Sequence, residues 1–233
     1  MTANFILSEL QSVANPEKAI ILQRFFKTGP GQYGEGDVFL GIVVPHTRSI
    51  AKANLRTPLP EIAELLKSKY HEARLCALLI LTERFKKALE NEQEEIFDFY
   101  LTNTSCINNW DLVDLTAPTI VGGYLFDKQR TLLYDFVESA CLWEQRIAIV
   151  STYAFIRKND FSDTFELSKR LLTHKHDLMH KAVGWMLREV GKRDRKALTD
   201  FLEEYATKMP RTALRYAIEH YTEPERQYFL KKK

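Results

Sequence analysis

Apolar residues along this chain recur mostly at three- and four-residue spacing, the period of an α-helix packed on one side. Asn15-Pro16-Glu17 supplies a cap, a first-turn proline and a first-turn acid, and Ala19, Ile20 and Leu22 follow as an apolar stripe. Further helices are predicted roughly over 60–68, 70–89, 92–102, 109–117, 129–140, 143–158, 162–173, 176–193, 195–207 and 210–221. Val38 to Val44 reads as a short strand or as a buried extended lead-in to the helix after Pro45. The segment Gly29-Pro30-Gly31-Gln32-Tyr33-Gly34-Glu35-Gly36-Asp37 lacks the spacing and the Lys-Ser/Thr of a phosphate-binding loop, so it is expected to be a plain flexible loop.

The helices come in pairs at a regular interval. Glu72-Ala73-Arg74 is echoed 72 residues later by Glu144-Gln145-Arg146, and a similar helix recurs 35 residues on at Lys181-Ala182-Val183. Arg215 lies 34 residues beyond Lys181. A period near 36 in helix–turn–helix units predicts an α-solenoid, HEAT-like because the TPR consensus is missing. The expected architecture is all-α: one domain over 1–233, a curved superhelix with a concave binding face.

Composition sharpens this picture. Nine glycines and eight prolines are few for 233 residues, and five of the glycines fall between Gly29 and Gly41. Sandwiches and barrels need more turns than that, which argues for helices. The net charge is only +2, so any anion site must come from local clustering. Cys76, Cys106 and Cys141 are odd in number and form no C-x-x-C, so neither a disulfide framework nor a thiolate zinc site is expected. The start Met1-Thr2-Ala3-Asn4-Phe5 has no basic n-region, and no apolar run reaches membrane length. A soluble intracellular protein is expected.

Three helices carry candidate chemistry. Met179, Val183, Met186, Leu187 and Val190 form an apolar stripe, while Lys181, Trp185, Arg188 and Lys192 fall opposite. A tryptophan among cations suits either packing on a neighbouring repeat or an aromatic platform in an electropositive groove for a nucleic acid. In Asn108-Asn109-Trp110-Asp111-Leu112-Val113-Asp114, an asparagine caps the helix and Trp110 and Asp114 share a face at i, i+4. Asp111 reads as a dipole-favoured first-turn acid. Asp114 sits a turn further in, where a carboxylate beside an indole could stabilise a developing cation. Arg146, Val150, Tyr153 and Arg157 are expected to share a face, with Arg146 holding a phosphate or an acid of the next repeat. His174, His176 and His180 lack the acid of an H-E-x-x-H site, and His71-Glu72 lacks its second histidine, so no metal is expected.

Taken in order, Asn15-Pro16-Glu17-Lys18, Phe39-Leu40-Gly41-Ile42, Asn109 to Asp114, Trp143-Glu144-Gln145-Arg146 and Gly184 to Glu189 resemble the AlkD-type HEAT-like repeat DNA glycosylases, the DNA alkylation repair enzymes. The resemblance spans nearly the whole chain. It implies that Asp114 is the catalytic carboxylate, that Trp110 and Trp185 are its aromatic partners, and that Arg146 meets the DNA backbone, with the Phe25 ring also at the DNA; Lys181 and Arg188, from their place on the charged face, are expected to meet phosphates. It implies hydrolysis of the N-glycosidic bond of N3- or N7-alkylated purines in duplex DNA, without base flipping. No cofactor or metal is implied; the protein would be a cytoplasmic monomer without an obligate protein partner, nucleoid-associated when bound to DNA. Two departures stand out: Phe25 replaces a family tyrosine, and the 29–37 loop is longer. A non-catalytic DNA-binding paralogue and a HEAT-like protein scaffold are the alternatives from other classes.

Overall fold

A computed structural model of the chain describes residues 1–232, and among these all regular structure is helical. The chain forms two compact units, Met1–Ile120 and Val121–Lys233. The first unit holds α1 (Ala3–Ser12), α2 (Pro16–Phe25), α3 (Val44–Ala53), α4 (Leu59–Leu66), α5 (His71–Phe85), α6 (Glu90–Thr102) and α7 (Trp110–Asp114). The division falls within α8 (Ala117–Tyr124). The second holds α9 (Thr131–Val137), α10 (Leu142–Ser151), α11 (Tyr153–Ile156), α12 (Ser162–Arg170), α13 (Asp177–Arg193), α14 (Arg195–Tyr205), α15 (Arg211–Ala217) and α16 (Glu223–Lys231).

In the first unit α5 is the axis. Its residues 71–82 are all buried, and α3, α4, α6 and α7 pack around it. A helix apolar on every side must lie inside its domain, and the run Leu75-Cys76-Ala77-Leu78-Leu79-Ile80-Leu81 makes α5 one. In the second unit α10, α13 and α15 pack consecutively as one row, and these carry the segments at the 36-residue interval. A second row forms outside it, where α12 touches α9 and Phe165 of α12 stacks on Phe201 of α14 at 5.0 Å. Two rows of paired helices are the layering of an α-solenoid.

Local hydrogen bonds explain where the predicted elements differ. The helix expected over 109–117 stops at Asp114 because the Thr116 hydroxyl donates to the Leu112 carbonyl at 2.5 Å, and α8 starts afresh at Ala117. The helix expected over 143–158 breaks at Thr152: the Ser151 and Thr152 hydroxyls donate back to Ile147 at 2.6 Å and Ile149 at 2.7 Å. Of the residues expected on one face, Arg146 and Val150 fall on α10, Tyr153 begins α11 and Arg157 caps its end. Arg146 and Val150 are buried, Tyr153 is half-buried and Arg157 is exposed. Helices α1 and α16 lie outside the predicted set.

The segment after the Gly-rich loop is a lead-in and not a strand, with one isolated parallel bridge between Val38 and Tyr70. Three backbone N–H groups, of Leu40, Gly41 and Ile42, donate to the buried Glu72 carboxylate at 2.9, 2.8 and 3.1 Å. Gly41 has φ +83°, and a Cβ there would lie 2.0 Å from the Asn15 carbonyl oxygen, so only glycine fits. Asn15, the cap of α2, in turn donates its N–H to Leu40 at 2.8 Å. The start of α2, the 38–42 segment and the start of α5 are thereby tied together.

Candidate active site

Helix α7 is five residues long and presents both candidate catalytic groups of the first unit, Trp110 and Asp114. Asn109 caps it, its side-chain oxygen accepting the Trp110 N–H at 2.8 Å. Leu112 and Val113 are fully buried, which turns Trp110 and Asp114 to the half-buried side, one turn apart. The Trp110 indole lies flat on Phe26, with ring centroids 5.1 Å apart and planes 10° from parallel. Phe25 meets the same indole edge-on at 6.0 Å and is 61% exposed. An aromatic ring of that exposure beside a half-buried indole offers a wet apolar surface. Phe25 and Trp110 are thus brought together, with Asp114 on the same short helix as Trp110.

Beneath the indole the stack continues. Phe26 stacks on Phe39 at 4.8 Å, and Phe39 stacks on the His71 imidazole at 4.5 Å. His71 is 1% exposed and stands between two carboxylates: Nδ1 faces Asp37 Oδ2 at 3.1 Å and Nε2 faces Asp111 Oδ2 at 2.8 Å. Arg74 Nη2 donates to the other Asp37 oxygen at 2.5 Å, and Asn109 Nδ2 donates to Asp37 Oδ2 at 3.0 Å. Burial by itself would lower the His71 pKa, but the hydrogen bonds it donates to Asp111 and Asp37 hold it up to about 9. Burial works to raise the Asp37 carboxyl, yet His71, Arg74 and Asn109 keep it below the usual carboxylate value.

This cluster revises the place of Asp111. It is a first-turn acid, as expected, accepting through Oδ1 from the Leu112 N–H at 2.9 Å, but it is only 6% exposed and its other oxygen accepts from His71. Likewise Asp37, the last residue of the loop expected to be merely flexible, is a buried anchor. Sequence spacing missed His71 and Asp37 because their partners lie 34 to 72 residues away.

In the second unit Trp185, Lys181 and Arg188 lie on α13, as the periodicity placed them, with the predicted apolar stripe buried. The Trp185 indole N–H donates to Glu189 at 3.2 Å, and its ring lies 6.0 Å from that of Tyr153. Each cation has an acid: Lys181 pairs with Asp177 at 2.8 Å, Arg188 with Glu219, and Lys192 with Glu189 at 2.7 Å. Arg146, on α10, is 4% exposed, and its Nη1 donates to the Leu178 carbonyl at 2.6 Å, bracing the first turn of α13. His174, His176 and His180 interlock as a structural cluster. His174 Nε2 faces Gln145 at 2.9 Å, His176 caps α13, and His180 Nε2 donates to the His174 carbonyl at 2.5 Å. No group of three or more metal-ligating side chains is assembled among the described residues. None of the helices is long and apolar enough to cross a membrane.

The described residues are all-helical, the second unit is built of two helix rows, and α7 of the first unit carries a half-buried indole and carboxylate one turn apart. The family model for DNA alkylation repair enzymes matches residues 6–221, and the chain belongs to that family. Its fold is similar to that of a solved structure described as a predicted DNA alkylation repair enzyme from Enterococcus faecalis. The two are 17% identical with a TM-score of 0.71 over 90% of this chain and 97% of that one. No curated protein matches the chain. The family supports a role in the repair of alkylated DNA, with DNA as the partner.

Proposed function

We propose that this protein is a DNA glycosylase that releases N3- or N7-alkylated purines from duplex DNA, leaving the lesion stacked. The observation that carries this reading is the pairing on α7: a half-buried carboxylate, Asp114, one turn from an indole that is locked between Phe25 and Phe26. Alkylation at N3 or N7 makes the base cationic, so it departs neutral and needs no general acid. Positive charge then gathers on the sugar as the glycosidic bond breaks. A preorganised carboxylate stabilises that charge and orients the attacking water, whose oxygen bonds to the anomeric carbon and whose proton is released. The indole face of Trp110 adds cation–π attraction, and Trp185 on α13 is assigned an aromatic face toward the DNA. Phe25 supplies an apolar ring toward the DNA. Lys181 and Arg188 contact phosphates by exchanging Asp177 and Glu219 for the backbone, and Arg146 adds its charge while holding α13.

The test is base release from duplexes carrying 7-methylguanine or 3-methyladenine. Release that depends on Asp114 is expected. Salt-dependent binding without release would instead favour a binding-only paralogue, and no binding at all a protein scaffold.

A further inference from the structure

His71 contacts none of the residues assigned to the chemistry, yet two separate routes run from it to Trp110. One is polar. Both imidazole nitrogens face carboxylate oxygens, and a carboxylate only accepts, so both nitrogens must carry protons. The ring is therefore an imidazolium. Asp37 and Asp111 balance it together with Arg74, giving two buried positive and two buried negative charges. Asp111 immediately follows Trp110, and Asn109, which caps the indole's helix, is tied to the same Asp37. The second route is aromatic: His71 lies against both Phe39 at 4.5 Å and Phe26 at 5.0 Å, and Phe26 stacks on the Trp110 indole.

The open groove of about 530 Å³ lined by Arg170, His174, Lys175 and His176 holds histidines already committed to structural hydrogen bonds. The exposed apolar face of Ile20, Ile21 and Phe25 adjoins the candidate site and belongs to it.

We propose that His71, clasped between Asp37 and Asp111, is the positioning residue that holds the start of α7 and with it the indole of Trp110. The inference rests on the glycosylase reading for what the positioned groups do, but not for the positioning itself. The imidazolium pins α7 through Asp111 and supports the floor of the aromatic column, so neither the cap nor the indole can turn independently. Its pKa near 9 keeps the clasp charged at neutral pH.

The experiment uses full-length protein labelled with 5-fluorotryptophan, which gives three ¹⁹F resonances, assigned by Trp110→Phe. His71→Gln leaves one carboxylate without its donor; Phe39→Leu keeps all four charges but removes one of the two rings that join His71 to the indole. In both variants the Trp110 resonance is expected to move or split, while those of Trp143 and Trp185 stay in place. Single-turnover release of 7-methylguanine should fall by about 10-fold or more, with duplex affinity changed less than about threefold. If His71→Gln does not fold, Phe39→Leu decides alone. A Trp110 resonance at its wild-type position, or equal loss of binding and release, overturns the proposal. If the wild type releases no base, the glycosylase reading fails, and the resonance of Trp110 alone decides the positioning.

Discussion

His71 Nε2 and Asp111 Oδ2 are 2.8 Å apart in a site where the histidine is 1% and the aspartate 6% exposed. The second imidazole nitrogen faces Asp37, and Arg74 completes the charge balance. These groups face His71 from α5, from α7 and from the end of the Gly-rich loop, so its protonation is coupled to folding.

Stability should therefore depend on pH in a definite direction. The histidine titrates near 6.5 in the unfolded chain and near 9 in the folded one. A raised folded-state pKa gives stability that is complete below about pH 6.5 and is lost as pH climbs through about 9. The separation corresponds to about 3 kcal/mol as an order of magnitude. Urea unfolding from pH 6 to pH 9.5 should show this fall in the wild type and a much flatter profile in His71→Gln. Parallel profiles would show that the imidazole is neutral in the fold.

Asp111→Asn is expected to be severe. Both Asp111 oxygens accept, one from His71 and one from Leu112, and an amide offers only one acceptor. Removing one charge from a buried pair costs roughly 3–5 kcal/mol. Thermal melting is the check: a midpoint within a degree or two of wild type would mean that Asp111 is solvated.

The long amphipathic helices were legible because their patterns are local. The Met179 to Val190 stripe of α13 is buried as its spacing indicates. The Asn109 cap and the Trp110–Asp114 pair could also be found from adjacent residues. The clasp could not, since Asp37, His71 and Asp111 are joined only by the tertiary fold. One signal was present: a helix with the continuous run Leu75 to Leu81 is buried all round, so His71, Glu72 and Arg74 on it must find partners. The same logic applies to Arg146, followed by the buried run Ile147-Ala148-Ile149-Val150.

Arg146→Ala separates a brace from a phosphate contact. Losing the guanidinium leaves the Leu178 carbonyl without this donor and opens space beside α13, so a drop in melting temperature is expected. If Arg146 also meets a phosphate, the slope of log affinity against log salt should shrink by about one unit. Lys181→Ala and Arg188→Ala, at more exposed ion pairs, should change the slope with less effect on melting. An unchanged slope for all three would remove α13 from the DNA contact.

Asp114→Asn tests the chemistry most directly. The side chain is half-buried on the last residue of α7, so the isosteric amide should be accommodated with the fold intact. Removing a negative charge near phosphates should leave duplex affinity equal or improved. Release of 7-methylguanine should nevertheless fall by about 10- to 1,000-fold, or about 1.4–4 kcal/mol of transition-state stabilisation. The control must make the same charge change without touching the clasp, which excludes Asp111. Asp98 on α6 is exposed and in the same unit, and Asp98→Asn should leave release unchanged. Trp110→Phe should fall between the two, keeping an aromatic face but a weaker one for a cation. Wild-type rates in Asp114→Asn, measured under single-turnover conditions so that product release cannot mask the step, would refute the catalytic assignment.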